Sequence, residues 1–138
     1  FLEMRGADGG PWRRLCALPA LWTGLLYDGD CLDGAWDLAK DWTAEDHLRL
    51  RAEVPRNGFK AWVGNRTVQE IALEVLDLAG TGLRRRNRLD SSGADESGFL
   101  GTLYEGAQSG RTPAEDQLDK FNGPWAGNID HIFRDYAY

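Results

Sequence analysis

Cysteine, histidine, methionine and proline are all scarce in this sequence of 138 residues: two Cys, two His, one Met and five Pro. Two cysteines cannot staple a disulfide-dense miniprotein, and neither histidine has partners at zinc-like spacing. Long apolar runs are missing too. The longest, residues 15–26, is interrupted by Pro19, Thr23 and Gly24. It falls short of the roughly 20 residues a membrane-spanning helix needs, so no membrane partner is expected. Positive charge is in deficit: 16 Lys and Arg against 22 Asp and Glu leave a formal charge of −6, which argues against a nucleic-acid partner. No repeat or low-complexity tract occurs. What remains, 42% hydrophobic and 28% charged, is the composition of an ordinary globular domain or part of a larger one.

The opening residues, Phe1-Leu2-Glu3-Met4-Arg5, read as a β-strand. Nothing downstream resembles a second strand of similar strength, and an unpaired buried strand would leave backbone groups unsatisfied. The expectation is therefore that an N-terminal portion precedes the sequence. A glycine-rich turn follows, with Pro11 at a first helical position and Asp8 or Gly10 as its cap. Residues 12–27 are apolar on nearly every side, the pattern of a buried helix, and Pro19 is expected to kink or split it.

Further along, Leu32, Ala35, Trp36, Ala39 and Trp42 recur at helical spacing. Thr43 and Asp46 cap a short helix through Arg51, and Thr67 with Glu70 forms a capping box for the longest helix, fading at Gly80 and Gly82. Residues 54–64 read as a loop with two aromatics, Phe59 and Trp62, exposed or facing a partner; Trp62 is expected to serve in packing. After a polar surface stretch at residues 89–98 and a weaker helix over 99–108, Thr112-Pro113-Ala114-Glu115 starts a last clear helix. The predicted class is α+β and helix-rich, with one N-terminal strand followed by about five helices.

On a strand, residues two apart share a face, so Glu3 and Arg5 point the same way. A carboxylate beside a guanidinium at a strand end, followed by a glycine-rich turn, suits a metal–phosphate site. The carboxylate offers hard oxygen ligands to Mg²⁺, and the arginine fork meets phosphate oxygens. The same pair also fits a plain same-face salt bridge at a sheet edge.

The run from Phe1 to Ala20, FLEMRGADGGPWRRLCALPA, resembles the hallmark segment of plant and alphaproteobacterial glutamate–cysteine ligases. The likeness continues through Gly24-Leu25-Leu26-Tyr27-Asp28, Asp41-Trp42-Thr43, Val54-Pro55 and Gly110-Arg111-Thr112-Pro113-Ala114-Glu115. It reaches the end through Gly123-Pro124-Trp125 and Asp135-Tyr136-Ala137-Tyr138. Complete members are several times longer, so the resemblance is to their C-terminal third, a single segment of a glutamine-synthetase-like catalytic domain.

The resemblance implies ATP-dependent joining of the glutamate γ-carboxylate to the cysteine amine through γ-glutamyl phosphate, the first step of glutathione synthesis. The isolated segment is expected to be inactive. By the same resemblance Glu3 is a magnesium ligand and Arg5 the catalytic, ATP-phosphate-contacting arginine. The partners implied are L-glutamate, L-cysteine and ATP, with the choice between monomer and homodimer open. The setting implied is the cytoplasm, or a plastid if the source is a plant. The sequence departs from its plant relatives at Phe59-Lys60-Ala61-Trp62-Val63-Gly64, which puts the identity of the amine acceptor in question. A related ligase with another amine, or a non-catalytic helical interaction module, are the alternatives.

Plant members carry a redox-sensitive cysteine pair, which would correspond to Cys16 and Cys31; against it stand two reduced thiols, Cys16 packed among Leu15, Leu18 and Pro19. His47 is expected in solvent on a charged helix. Arg84, Arg85, Arg86 and Arg88 follow a helix C-terminus, where cations offset the helix dipole; an ATP-phosphate or partner role is the alternative.

Overall fold

The structure, a computed structural model, describes residue 7 and residues 10–136. The expected strand at residues 1–5 lies outside the described residues. The described residues form seven α-helices and one small hairpin: α1 (Trp12–Leu26), α2 (Gly29–Ala39), α3 (Ala44–Asn57), β1 (Trp62–Val63), β2 (Arg66–Thr67), α4 (Val68–Arg86), α5 (Gly101–Ser109), α6 (Pro113–Asn122) and α7 (His131–Asp135). Short 3-10 turns, Gly58–Lys60 and Glu96–Leu100, connect α3 to β1 and lead into α5. The helix-rich α+β expectation holds, with more helices than the five counted from sequence.

The helix starts follow local chemistry. Asp28 caps α2 by accepting from the Cys31 N–H at 3.0 Å. Thr43/Asp46, Thr67/Glu70 and Thr112/Glu115 each form a reciprocal capping box, in which the threonine hydroxyl and the acid satisfy two otherwise orphaned N–H groups. Because these carboxylates accept backbone N–H bonds, Asp28 and Asp46 titrate below the usual aspartate value of 3.8. Glu70 and Glu115 likewise fall below the usual glutamate value of 4.5.

Three boundaries differ from the sequence pattern. Pro19 neither splits nor ends α1, which runs unbroken from Trp12 to Leu26. Pro11 is the N-cap of that helix rather than its first residue. In α3 the chain passes through Pro55 and ends at Asn57, with Gly58 at φ +52° closing it. Residues 54–64 are thus not a loop throughout: β1 and β2 pair antiparallel, Trp62 opposite Thr67 and Val63 opposite Arg66, around a turn in which Gly64 takes φ +56°. Val63 is buried while Trp62 stays 53% exposed, so Trp62 is not a packing residue.

α4 is the spine, with α1, α2, α5 and the second 3-10 turn packed on it. Gly80 and Gly82 do not fade the helix; both are buried inside it, and α4 continues to Arg86 before Asn87 closes it in a left-handed conformation. The reason is the crossing with α1. A methyl group on Gly24 would collide with the Ala79 carbonyl, and one on Gly82 with the Gly24 carbonyl. The two backbones touch there, which only residues without a Cβ permit. Around this crossing lie Ala20, Leu25, Ala79, Leu83 and Leu100, flanked by Leu21, Trp22, Val75, Leu78 and Leu103. Tyr104 completes the core edge: its hydroxyl donates to Asp77 Oδ1 at 2.7 Å, and burial plus that carboxylate push its titration up to about 12.

The C-terminal part folds back on α6. Trp125 is 5% exposed and its indole N–H donates to Asp135 Oδ2 at 3.0 Å. Lys120 Nζ donates to the Tyr136 hydroxyl at 3.2 Å and lies over the Tyr136 ring.

Two outcomes test this account. Gly82→Ala should destabilise the protein by roughly 1–3 kcal/mol, the cost of overpacking a full core. Gly29→Ala, where an added Cβ meets nothing within 4 Å, should be neutral or mildly stabilising. Urea midpoints of the two variants check this, and equal midpoints would refute the backbone contact. The capping carboxylates titrate lower folded than unfolded, so their stabilisation is complete above the free values of 3.8 and 4.5 and is lost as pH falls through the folded ones. The thermal midpoint should hold down to about pH 5 and fall below about pH 4. Thr67→Ala should cost about 1 kcal/mol of stability at neutral pH, read as a lower thermal midpoint.

Candidate functional site

Glu3 and Arg5 lie outside the described residues, so the frame they feed into is what the structure defines. That frame is the first turn of α1. Unlike α2, α3, α4 and α6, α1 has no side-chain cap and no acid in its first turn. Its N-cap is Pro11, whose carbonyl accepts from the N–H groups of Arg14 and Leu15 at 2.7 and 3.2 Å. The next side chains are Arg13 and Arg14, cations at the positive end of the helix dipole, where acids are normally favoured. Arg14 folds back over Gly10: a Cβ on that glycine would lie 3.3 Å from Arg14 Cδ.

Arg13 and Arg14 line an open cleft of about 290 Å³ with Phe59, Glu105, Ser109, Arg111 and Asp116. The cleft joins the start of α1, the 3-10 turn after α3, α5 and the α5–α6 turn. Arg111 is brought in by a tight reversal in which Gly110 takes φ +65°, and the Arg111 N–H donates to Ser109 Oγ at 3.2 Å. Asp116 receives the Arg111 Nε–H at 2.9 Å and Asp119 holds a terminal nitrogen; these carboxylates raise the Arg111 titration further. Arg13 pairs with Glu105 at 3.5 Å, an exposed contact of little energy.

Three guanidiniums border one space, but Arg13 is paired with Glu105 and Arg111 with Asp116 and Asp119, so an anion or an ammonium would compete with these ion pairs. Sequence reasoning singled out none of Arg13, Arg14 or Arg111. The available signal was a pair of cations just after an N-cap, the reverse of the usual order.

The other sequence candidates are placed as follows. Both cysteines are free thiols. Cys31, in the first turn of α2, is 2% exposed, and burial followed by the neighbouring Asp28 carboxylate pushes its thiol up. Cys16 is half-buried on α1 beside Thr23, Leu83, Glu96 and Phe99. The arginine run acts within the chain: Arg85 binds Asp28 at 3.0 Å and Asp30 at 2.9 Å, tying the end of α4 to the start of α2. Arg86 lies 3.8 Å from Glu96 and over the Tyr27 ring, and Arg84 donates to Thr81.

His47 is exposed, with its ring edge-on to Trp42, and His131 stacks on Trp125. Among the described residues no group of three or more His, Cys, Asp or Glu could hold a metal ion. No helix there is long and apolar enough to cross a membrane.

Comparison with known proteins identifies a matching family. Residues 1–135 match glutamate-cysteine ligase family 2. All 138 residues align with a chloroplastic glutamate–cysteine ligase of Arabidopsis thaliana at 47% identity, covering 25% of that protein. Likewise, the whole chain aligns with the Brassica juncea enzyme of the same name at 46%, covering 26%, and with a chloroplastic glutamate–cysteine ligase A of Oryza sativa subsp. indica at 45%, covering 27%. The chain therefore spans about a quarter of the length of these relatives.

The two thiols differ in access, and a labelling rate reads the difference. Under native conditions iodoacetamide should modify Cys16 well before Cys31, whose alkylation should await opening of the α1–α2 hairpin. Equal rates followed by mass spectrometry would contradict the packing around Cys31.

Proposed function

The chain belongs to glutamate-cysteine ligase family 2, and on that premise we propose that it is the C-terminal segment of an ATP-dependent ligase joining L-glutamate to L-cysteine, the first step of glutathione synthesis. The observation that carries this is the family match over residues 1–135, which includes the intact Glu3-x-Arg5 run. In this reading the strand at residues 1–5 belongs to a glutamine-synthetase-like sheet completed by the rest of a longer polypeptide.

The chemistry has two steps. A γ-carboxylate oxygen of glutamate attacks the terminal phosphorus of ATP, ADP leaves, and γ-glutamyl phosphate forms. The cysteine nitrogen then attacks the acyl carbon, phosphate departs, and the nitrogen sheds a proton. Both steps build negative charge on oxygens, and Arg5 is the group proposed to meet it. The N–H groups at the start of α1, which have no side-chain cap, favour negative charge such as a phosphate or an amino-acid carboxylate brings.

For Mg²⁺ the donor chemistry fits only in part. Glu3 is a hard oxygen ligand, and the described residues provide no cluster to complete a shell. Its other ligands would come from the remainder of the polypeptide, and the ion would neutralise charge on the phosphates. The chloroplastic names of the relatives support a plastid setting for a plant source, and a bacterial one would act in the cytoplasm. Phe59 favours one second reading. It lines the arginine cleft at the very segment where the sequence departs from its relatives, so a related amine could replace cysteine as acceptor.

Phosphate release from ATP by the full-length product, with glutamate alone and then with cysteine or other amines, tests the function. Cysteine-dependent release yielding γ-glutamylcysteine is expected. Release with another amine only would keep the chemistry and replace the substrate. Arg5→Ala should lower kcat by at least about 10³-fold, the usual worth of an arginine in phosphoryl transfer, with folding intact. Near-native kcat would overturn the assignment.

A further inference from the structure

α1 carries apolar side chains on two sides, and only one is covered. Its inner side, Ala17, Ala20, Leu21, Gly24 and Leu25, packs on α4. On the outer side Trp12 is 76% exposed and Leu15 41%, and Tyr27, just past the helix end, is 78% exposed. Phe99, 53% exposed, extends this surface across the second 3-10 turn. Two shallow grooves flank Pro19 and Thr23. One, of about 310 Å³, lies between Leu18, Trp22 and Leu26. The other, of about 260 Å³, lies between Cys16, Leu83 and Phe99.

A helix apolar on all sides is ordinarily buried on all sides, because each exposed large side chain forgoes roughly 1.5–3 kcal/mol of burial. Pro19 adds a polar need to the same surface. It has no N–H, so the Leu15 carbonyl lacks its helical donor and requires one from outside the helix.

We propose that this outer face of α1, from Trp12 to Tyr27 and across to Phe99, is covered in the ligase by the part of the same polypeptide that precedes Phe1. The inference rests on the ligase reading above. The relatives are about four times as long as this chain, so such an enzyme has three further quarters of sequence to place. Gly10 and Pro11 lead directly into α1, so the chain enters this helix at the Trp12 end of the face. The charged residues of α1, Arg13 and Arg14, are both at its entry, and the groove beside Phe99 holds one carboxylate, Glu96, whose Oε2 is buried without a hydrogen-bond partner among the described residues and 3.8 Å from Arg86, so the covering segment must bring a donor as well as apolar side chains. A permanent apolar contact within one chain meets these conditions better than a second copy does.

A photo-crosslinking residue, p-benzoylphenylalanine, placed at Tyr27 or separately at Trp12 of the full-length polypeptide tests this. The expected result is an adduct at monomer mass joining residue 27 or 12 to a peptide upstream of Phe1, absent when the same probe replaces exposed Arg51. Adducts at twice the monomer mass would assign the face to a second copy and overturn the proposal. Yields no higher than at Arg51 would show the face open to solvent and also overturn it. Ligation by the unsubstituted polypeptide is assayed in parallel. An upstream adduct in a protein without ligase activity would retain the docking and refute the ligase reading, whereas an active enzyme without the adduct would refute the docking alone.

Discussion

Where α1 crosses α4, the backbone of one helix rests on the backbone of the other, with Gly24 against Ala79 and Gly82 against Gly24. Two helices this close bring Leu25, Leu83 and Leu100 into one dry cluster and set how α1 lies on the spine. That alignment has a distant consequence: it fixes where the first turn of α1 sits, and hence where Arg13 and Arg14 face Arg111. A Cβ at either glycine would push the helices apart and move the entry of α1 with them. The core thus governs the candidate site, although none of the site's charged groups belongs to the core.

Charge in the molecule is arranged in two different ways. At the starts of α2, α3, α4 and α6, carboxylates sit where the helix dipole and the unpaired N–H groups favour them, and they are spent locally on capping. At the start of α1 the order is inverted, and arginines stand where an acid would be stabilising. Such a local conflict has a ready physical account when the end of the helix serves an anion rather than itself, in line with the proposed ligase chemistry. Arg85 illustrates the contrasting case: its two carboxylate partners at 3.0 and 2.9 Å make it a strut between α4 and α2.

Legibility from sequence followed the range of the forces involved. The capping boxes at Thr43, Thr67 and Thr112 were readable because a hydroxyl and an acid three residues apart interact within one turn. The solvent position of His47 followed from its charged helix in the same way. The ends of α3 and α4 were not readable. Gly82 is a breaker by propensity, and the close packing of α1 on α4 outweighed that preference, whereas Pro55 is an exposed residue that α3 passes through two positions before its end. The arginine cleft was hidden for a related reason, since Arg14 and Arg111 are far apart in sequence and only the fold makes them neighbours.

The family, the Glu3-x-Arg5 run and the starts of most helices were determined by the sequence itself, because each depends on residue identity within a few positions. The tertiary structure decided that α1 survives Pro19, that α4 carries two buried glycines through its centre, and that Arg85 reaches Asp28 across 57 positions. It also decided that one side of an all-apolar helix is left uncovered. These outcomes depend on which surfaces exclude water from one another, and that is a property of the folded chain rather than of any short segment.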